Sequence, residues 1–336
     1  MFSIPGNMKG EMEAPLLDIQ NLRVELLLRR GILTAVDDVS FRLREKESLG
    51  IVGETGCGKS MIALSIMGLV PSPPGRASGR ILFEGVDLIR KKERELRRIR
   101  GREIAIIFQE PLTALNPAFI IGEQVAECYR VHFGHSKRTA REGAEHILDL
   151  VRVPSPKQVM KLYPHELSGG MRQRVMIAIA LACQPKLLIA DEPTTALDVT
   201  VQAQILELLE ELREKMKLAM IFISHNLGVV AHLCDRIAVM YAGALVEVTD
   251  VESLLQPLHP YTLGLLDAMP LPEHRDEYLK ALPGNICDLI YPPSGCKFHP
   301  RCFKAQEICA QERPGLEMKP LDHAVACFFP VYHEPS

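Results

Sequence analysis

Hydrophobic residues along the chain fall into short runs separated by longer stretches with helical spacing. The runs are largely apolar and a few residues long, which is typical of strands buried on both faces of a sheet. The clearest runs are Glu47–Gly53, Glu103–Gln109, Lys186–Asp191 and Ala219–His225. A later run, Arg236–Val248, predicts a hairpin that turns at Ala242 and Gly243. Strands that alternate with helices predict an α/β fold around a largely parallel sheet.

Two changes in this pattern predict the domain organisation. Helical spacing dominates between about residues 111 and 184, which predicts a helical subdomain inserted between two core strands. After about Gln256 the composition shifts to proline, histidine and cysteine. With 336 residues, 47% of them hydrophobic, the chain can bury one large core and a smaller one. We therefore expect a main domain over residues 1–255 and a small C-terminal domain over residues 256–336.

The charge balance does not indicate a protein that binds nucleic acid or a membrane surface. The 39 basic and 42 acidic residues leave a formal net charge of -3, so no strong field steers the chain toward anionic partners. The most basic stretch, Arg90–Glu103, contains interleaved acids and no aromatic residue, which predicts a solvated helical face. No apolar run reaches the roughly 20 residues of a membrane span, and the first residues lack the apolar core of a secretory signal. We therefore expect a cytoplasmic protein.

The first chemical motif is a glycine-rich loop, GETGCGKS, between a predicted strand and a helical pattern. This context is typical of a P-loop, in which backbone N–H groups wrap phosphates, Lys59 reaches the β and γ phosphates, and Ser60 binds Mg²⁺. The predicted nucleotide-binding residues here are Gly53, Glu54, Thr55, Gly56, Cys57, Gly58, Lys59, Ser60 and Met61. Cys57 has two interpretations. It is either a tolerated small residue or a thiol that nucleotide shields and whose pKa is lowered by Lys59 and the helix start.

Polar residues at the ends of three other predicted strands add groups for phosphate chemistry. Asp191 is placed to hold Mg²⁺, directly or through water. Glu192 is placed to act as the general base that activates water for attack on the γ-phosphate. The Gln109 amide can reach Mg²⁺ or the attacking water, and His225 can donate a hydrogen bond to a γ-phosphate oxygen. Together with the P-loop, these residues predict hydrolysis of a bound nucleoside triphosphate.

A second helix start suited to an anion lies far downstream, in LSGGMRQR at residues 167–174. Ser168 is a suitable N-cap, and Gly169 and Gly170 leave backbone N–H groups accessible at the positive end of a helix. An ordinary cap explains the serine but not two successive glycines. The chain therefore carries two separate elements that favour phosphate.

Taken in order, these motifs resemble those of the ATP-binding subunits of ATP-binding cassette (ABC) transporters, over nearly the whole chain. GETGCGKS resembles the Walker A motif, Gln109 the Q-loop, LSGGMRQR the signature, LLIADE the Walker B motif, Asp198 the D-loop and His225 the switch histidine. The resemblance implies a P-loop NTPase fold with a RecA-like parallel sheet, an antiparallel β subdomain and a helical subdomain. It also implies a dimer in which one subunit completes the ATP site of the other through Ser168, Gly169 and Gly170, and it adds Asp198 to the ATP-binding residues.

Three further segments, FQEPLTALNP, HPYT and PPSGCKFHPRC, resemble the peptide and nickel importer branch of this family. The resemblance implies an ATPase at the cytoplasmic face of the cell membrane that drives uptake of dipeptides, oligopeptides or a related solute. The implied partners are a second, different ATPase subunit, two transmembrane permease subunits and an extracytoplasmic solute-binding protein. Nickel and glutathione are alternative solutes. A soluble ABC ATPase of nucleic-acid repair, translation or cluster assembly is the alternative class.

One segment departs from the family pattern. The family stacks adenine on an aromatic residue shortly before TAVDDVSF, whereas the segment VELLLRRGIL at this place contains none. A guanidinium plane can also stack on a base, and the segment offers Arg29 and Arg30. Either arginine is therefore a candidate to hold adenine.

The C-terminal region contains four cysteines that have no role in ATP chemistry: Cys296, Cys302, Cys309 and Cys327. They include no CxxC pair, so their spacing does not indicate a standard zinc ribbon. Four thiolates suit tetrahedral zinc and an iron–sulfur cluster equally, and unpaired structural cysteines are the third interpretation. Some members of the peptide-importer branch resemble this chain in having these cysteines and bind a [4Fe–4S] cluster there. The resemblance therefore implies a [4Fe–4S] cluster, with zinc as the alternative.

Overall fold

A computed structural model of the chain describes residues 14–110, 114–195, 197–269, 282–319 and 323–332. The α-helices are α1 (Lys59–Ile66), α2 (Glu93–Ile99), α3 (Ile121–Phe133), α4 (Lys137–Leu150), α5 (Pro156–Val159), α6 (Gly169–Leu181), α7 (Val199–Met216), α8 (Leu227–Leu233), α9 (Pro260–Asp267) and α10 (Glu307–Gln311). The strands are β1 (Leu17–Leu28), β2 (Gly31–Leu43), β3 (Ser48–Val52), β4 (Gly75–Phe83), β5 (Val86–Asp87), β6 (Ile104–Ile107), β7 (Leu187–Asp191), β8 (Ala219–Ser224), β9 (Arg236–Tyr241), β10 (Ala244–Asp250), β11 (Glu317–Lys319) and β12 (His323–Val325).

The main sheet has the order β11-β12-β10-β9-β3-β8-β7-β6 within the described residues. Neighbouring strands from β9 to β6 are parallel, whereas β10, β12 and β11 continue the sheet in antiparallel pairs. Every residue of β3, β7 and β8 is buried, which explains why their sequences are continuous apolar runs. The predicted α/β fold is confirmed, and each of the first four predicted strands is present in slightly shorter form. The predicted hairpin is also present, as β9 and β10.

A second sheet, of order β2-β1-β4-β5, is antiparallel throughout. Leu17 and Ile19 of β1 and Val39 of β2 are fully buried, while intervening residues are more exposed. These buried side chains pack with α1 and with one face of the main sheet in a single hydrophobic cluster. Hydrophobic burial therefore holds the antiparallel sheet against the part of the main sheet that begins the P-loop.

Helices α3 to α6 lie in the chain between β6 and β7. Helix α6 packs against α3, α4 and β6, and Val175, Ile177 and Leu181 on it are fully buried. This is the part of the chain where the sequence predicts a helical subdomain. Three residues at the start of the predicted subdomain, 111–113, lie outside the described residues.

The basic stretch of residues 90–103 contains helix α2, as its sequence predicts. Leu96 is the buried residue of this helix, and Glu93 accepts hydrogen bonds from Arg97 at 3.0 Å and from Arg100 at 2.8 Å. Glu93 therefore pairs with two arginines of the same stretch, and Glu95 pairs with Lys91 at 3.1 Å.

The C-terminal region joins the main sheet. Strand β12 pairs with β10, and β11 pairs with β12, so both extend the sheet edge. The carboxylate of Glu247 on β10 has no exposed surface. It accepts hydrogen bonds from Nε2 of His323 at 2.5 Å and from the backbone N–H of Leu258 at 2.6 Å. The very short runs EMK and HAV give no periodicity from which this pairing can be predicted.

Candidate nucleotide site

The parallel register of the main sheet brings the predicted motifs to one edge. Strands β3, β8, β7 and β6 are neighbours that run in the same direction. The P-loop follows β3 directly and His225 follows β8, while Asp191 ends β7 and Gln109 lies two residues beyond β6. In open α/β sheets, ligands bind outside the carboxyl ends of the strands. The fold thus places four separate sequence motifs around one site.

The P-loop is closed around its own lysine. Nζ of Lys59 donates hydrogen bonds to the carbonyl oxygens of Gly53 at 2.7 Å and Glu54 at 3.1 Å. Gly58 has a φ of 104°, and a Cβ atom there would lie 2.0 Å from the carbonyl oxygen of Ala35. Glycine is therefore required where β2 approaches the loop. The ammonium group lies at the start of α1, where the helix N-terminus also favours an anion.

Cys57 is a packed residue beneath the loop. Its side chain is fully buried, and burial raises the pKa of its thiol above the ordinary value. Nζ of Lys59 lies 3.9 Å from Sγ, but its lowering effect is smaller than that of burial. The expectation of a lowered pKa is therefore wrong, and the interpretation of Cys57 as a tolerated small residue is favoured.

Ser60 and Asp191 form an oxygen-rich pair at the start of α1. Oγ of Ser60 donates to Oδ1 of Asp191 at 3.0 Å. Burial raises the pKa of Asp191, and the neighbouring charge of Glu192 raises it further, against the opposing effects of Ser60 and Lys59. Hydroxyl and carboxylate oxygens are ligands that Mg²⁺ prefers, and a bound cation favours the ionised carboxylate. The donor set therefore fits the predicted metal.

Glu192 lies at the centre of the predicted catalytic group. Its Oε2 accepts hydrogen bonds from Nε2 of Gln109 at 3.1 Å and from Oγ1 of Thr195 at 2.9 Å. Its Oε1 lies 3.4 Å from Nδ1 of His225. The backbone of Glu192 has a φ of 46°, a left-handed conformation that costs energy in a non-glycine residue and is often found at functional sites. The structure thus brings the three predicted residues together and adds Thr195, whose hydroxyl in a turn sequence gave no signal.

The second predicted half-site lies at two neighbouring helix starts. Ser168 caps α6, because its Oγ accepts a hydrogen bond from the N–H of Met171 at 3.3 Å. Asp198 caps α7 in the same way, through the N–H of Val201 at 3.0 Å. A Cβ atom on Gly170 would lie 2.7 Å from Cγ1 of Val201, so this glycine also permits close packing between the two helices. Each cap satisfies part of its helix start and leaves other N–H groups of the first turn for an anion.

The four C-terminal cysteines line one small cavity. Burial raises the pKa of the thiols of Cys296 and Cys302, and it raises the pKa of Cys327 to about 11. Backbone N–H groups two residues further along the chain oppose this effect and favour the thiolate; they belong to Phe298, Lys304 and Phe329. Such N–H donors are typical of thiolate sites. Across the described residues, no group of three or more His, Cys, Asp or Glu is arranged to hold a metal ion.

Two C-terminal residues contact segments that the sequence analysis assigns to nucleotide binding, and the sequence gives no signal for either contact. Oη of Tyr291 donates to the carbonyl oxygen of Arg30 at 2.7 Å, and this tyrosine is 69% exposed. Nη1 of Arg301 lies 2.7 Å from Oε2 of Glu54 in the P-loop. An aromatic residue from the C-terminal region therefore lies beside the segment that lacks one of its own.

Two regions of this chain match families of known proteins. The ABC transporter family matches residues 36–195, and the C-terminal region of oligopeptide/dipeptide transporters matches residues 246–309. The chain is 50% identical to the oligopeptide transport ATP-binding protein OppD of Haemophilus influenzae, over 88% of this chain and 91% of that protein. It is 47% identical to the dipeptide transport ATP-binding protein DppD of Bacillus subtilis, over 93% and 94%. A dimeric ATP-binding cassette, MJ0796 bound to ADP and Pi, superposes with a TM-score of 0.63 and 26% identity, over 70% of this chain and 98% of that one.

The fold, the site and these similarities define an ABC-type ATPase, which binds and hydrolyses ATP with Mg²⁺. Within this class, the chain belongs to the ATP-binding subunits of the oligopeptide/dipeptide branch of ABC transporters. The family and the ATPase activity predicted from the motifs are thereby confirmed.

Proposed function

We propose that this chain is the ATPase subunit of an importer of dipeptides or oligopeptides, whose uptake is driven by MgATP binding and hydrolysis. The observation that carries the proposal is the group around Glu192, where Gln109 and His225 reach one carboxylate from the ends of neighbouring strands. A module that only bound nucleotide would not need a polarised carboxylate at this place. Relatives with about half their residues identical are peptide-transport subunits by name, which supports the solute class.

The P-loop residues bind the phosphates. On binding, Nζ of Lys59 exchanges two backbone carbonyls for β and γ phosphate oxygens, while the N–H groups of the loop and of α1 surround the same phosphates. Ser60 and Asp191 would hold Mg²⁺, which would neutralise part of the phosphate charge. The ammonium group and the helix start add to this effect, so negative charge that develops on phosphate is stabilised by groups already in place.

The strand-end residues perform the proton chemistry. A water in line with the γ-phosphate attacks the phosphorus and loses its proton to a carboxylate oxygen of Glu192. The bond from that phosphorus to the β–γ bridging oxygen breaks, and ADP is the leaving group. Gln109 orients that water, and His225 donates to a γ-phosphate oxygen. Thr195 holds Glu192 in place through the hydrogen bond to Oε2. Gln109, Glu192 and His225 all act at the γ-phosphate, which ADP lacks. They therefore distinguish bound ATP from bound ADP.

The proposal includes a second ATPase subunit that completes each site. Ser168, Gly169 and Gly170 begin α6, an element separate from the P-loop, and would bind the γ-phosphate held by the other subunit. Asp198, at the start of α7, lies beside them. The dimeric state of the similar cassette bound to ADP and Pi supports this arrangement. Because the importer branch pairs two different ATPases, we propose a heterodimer.

The remaining partners are two transmembrane permease subunits and an extracytoplasmic solute-binding protein. No helix in the described part of the chain is long and apolar enough to cross a membrane. The similarity to importer ATP-binding subunits supports a peripheral position at the cytoplasmic face of the membrane, where the permease subunits provide the path for the solute.

We further propose that the four C-terminal cysteines hold a [4Fe–4S] cluster. Their shared cavity and the N–H donors to three of the sulfurs support a thiolate-bound group. Four thiolates would also suit a zinc ion, and the resemblance to the peptide-importer branch favours the cluster. Anaerobically purified protein should show broad visible absorbance with matching iron and sulfide. Cys302→Ser should lose this absorbance and Cys287→Ser should retain it; stoichiometric zinc in its place would overturn the proposal.

We also propose that Tyr291 stacks on adenine. The family resemblance puts the base at the segment VELLLRRGIL, and Tyr291 is fixed to the carbonyl oxygen of Arg30 within it. The exposed ring provides the apolar, polarisable face that a base requires.

The importer proposal is tested by purifying tagged full-length chain from membranes in mild detergent and identifying its partners by mass. Two permease subunits and a second ABC ATPase are expected to co-purify, and Glu192→Gln should abolish uptake of a radiolabelled tripeptide in cells that lack the native copy. Recovery only from the soluble fraction, with ribosomes or cluster-assembly proteins, would contradict transport and leave the ATPase unaffected.

A further inference from the structure

Arg301 connects the four-cysteine segment to the P-loop. It ends the short 3-10 helix His299–Arg301 and directly precedes Cys302. Its two terminal nitrogens form a bidentate pair with Glu54, at 2.7 Å from Nη1 to Oε2 and 3.0 Å from Nη2 to Oε1. Only 5% of the arginine side chain is exposed. The carboxylate of Glu54 is more exposed, at 27%, so the pair is partly buried. A bidentate pair of this kind is directional and fixes the carboxylate more firmly than a fully exposed ion pair would.

The guanidinium group is itself fixed from three sides. It lies over the rings of Tyr241 and Phe298, 5.7 Å and 6.0 Å from the two centroids, and Nε donates to the carbonyl oxygen of Pro283 at 2.8 Å. The two aromatic residues are fully buried and contact each other edge to face at 5.1 Å. The position of Arg301 is therefore set by the packing of the C-terminal region rather than by solvent.

Glu54 is held at its backbone as well as its side chain. Its N–H donates to Oη of Tyr261 at 3.0 Å, and Tyr261 is fully buried beside Tyr241 and Phe298. The carbonyl oxygen of Glu54 accepts from Lys59 at 3.1 Å. Residues beyond position 256 thus determine the conformation of a P-loop residue whose carbonyl contacts the phosphate-binding lysine.

We propose that Arg301 is a positioning residue for the nucleotide, which holds the P-loop through Glu54 and makes nucleotide affinity depend on the folded four-cysteine segment. The inference rests on the proposed binding of phosphates by the P-loop. Coupling between two sites is reciprocal, so bound nucleotide also stabilises the segment that contains Cys296 and Cys302. The C-terminal region is then part of the nucleotide site, although it contributes no group that touches phosphate.

The test is calorimetric titration of the full-length chain with MgADP, which binds the P-loop without requiring closure of a dimer. Arg301→Met should raise the Kd by about tenfold, within the usual range of coupling between sites. Arg313→Met is the matched control, because Arg313 bonds Asp37 of β2 at 2.8 Å from the same C-terminal region without contacting the P-loop. Its Kd should stay within about twofold of the native value. Thermal unfolding is measured on each variant to check that it is folded.

Glu54→Gln provides a second route to the same contact if Arg301→Met does not fold. It should weaken MgADP binding to a similar extent. The double variant should bind MgADP no more weakly than either single variant, because both substitutions remove the same interaction between Arg301 and Glu54. Arg301→Lys, which keeps charge but not the bidentate geometry, should recover part of the affinity. An unchanged Kd in both single variants, or fully additive losses, would overturn the inference. Lys59→Ala separates the two proposals: if it binds MgADP normally, the proposed phosphate site itself fails.

Discussion

Gln109 and Glu192 are joined by a hydrogen bond of 3.1 Å between Nε2 and Oε2, although 83 residues separate them in the chain. The parallel pairing of β6 with β7 explains this contact, because it aligns the ends of both strands. Gln109 directly precedes the segment EPLTALNP, part of which lies outside the described residues. A displacement of Gln109 would therefore change the hydrogen bonding of the carboxylate that we propose as the general base.

Glu192→Gln should abolish hydrolysis and retain ATP binding. The amide cannot accept the proton of the attacking water, whereas the P-loop and the metal ligands are unchanged. We expect the rate of phosphate release to fall by about 100-fold or more, the usual contribution of a general base. Phosphate release and equilibrium ATP binding should be measured on the same preparation. Glu207→Gln, an exposed position on α7, serves as the control; a normal rate in Glu192→Gln would remove Glu192 from this role.

Tyr291→Ala should weaken ATP binding by about tenfold, since stacking of a base on an aromatic ring contributes about 1–3 kcal/mol. Tyr291→Phe loses the hydrogen bond to Arg30 but keeps the ring. Because the ring makes the stacking contact, the affinity of this variant for ATP should remain close to the native value. Inorganic tripolyphosphate, which has no base, should bind all three proteins equally. Tyr332→Ala is the control for loss of another exposed tyrosine. Equal ATP affinity of Tyr291→Ala and the native chain would exclude stacking on Tyr291.

The sequence predicts those features of the site in which a strand and its functional residue are adjacent in the chain. Asp191, Glu192 and His225 follow apolar runs directly, so recognising the strand also locates the residue. The contact between Arg301 and Glu54 spans 247 residues. It depends on how a proline- and cysteine-rich segment folds back, for which the sequence has no periodic signal. Of the two interpretations of Cys57, the lowered pKa fails for a related reason: Lys59 is visible in the sequence, whereas the burial that raises the pKa of the thiol depends on the fold.

Gly170→Ala should destabilise the fold by about 1–3 kcal/mol, because the new methyl group would overlap Val201 across the interface of α6 and α7. The double variant with Val201→Ala should regain most of the loss. Gly169→Ala is the matched control, since its Cβ atom would make an ordinary contact of 3.4 Å with Leu197. Urea unfolding measures all four proteins. If the double variant is as stable as the native chain but hydrolyses ATP more slowly, Gly170 is needed for nucleotide binding as well as for packing.

Glu247→Gln should weaken the attachment of the C-terminal strands in a pH-dependent way. Burial by itself would raise the pKa of Glu247, but hydrogen bonds from His323 and from the N–H groups of Leu258 and His259 outweigh it and hold the pKa below the ordinary 4.5. A depressed pKa means that the ionised carboxylate stabilises the folded state above about pH 4.5. That stabilisation is lost as the pH falls through the lower, folded-state value.

The free energy of unfolding of Glu247→Gln should therefore lie about 1.5–3 kcal/mol below the native value at pH 7, the usual contribution of hydrogen bonds to a charged group. As the pH falls below 4.5 the difference should shrink, because the native carboxylate becomes protonated and then resembles the amide. Urea unfolding from pH 3 to pH 7 measures the difference. Glu252→Gln, an exposed substitution just beyond β10, should show none at any pH. A deficit in Glu247→Gln that stays constant with pH would mean that the shape of the side chain, and not its charge, holds β12 to the sheet.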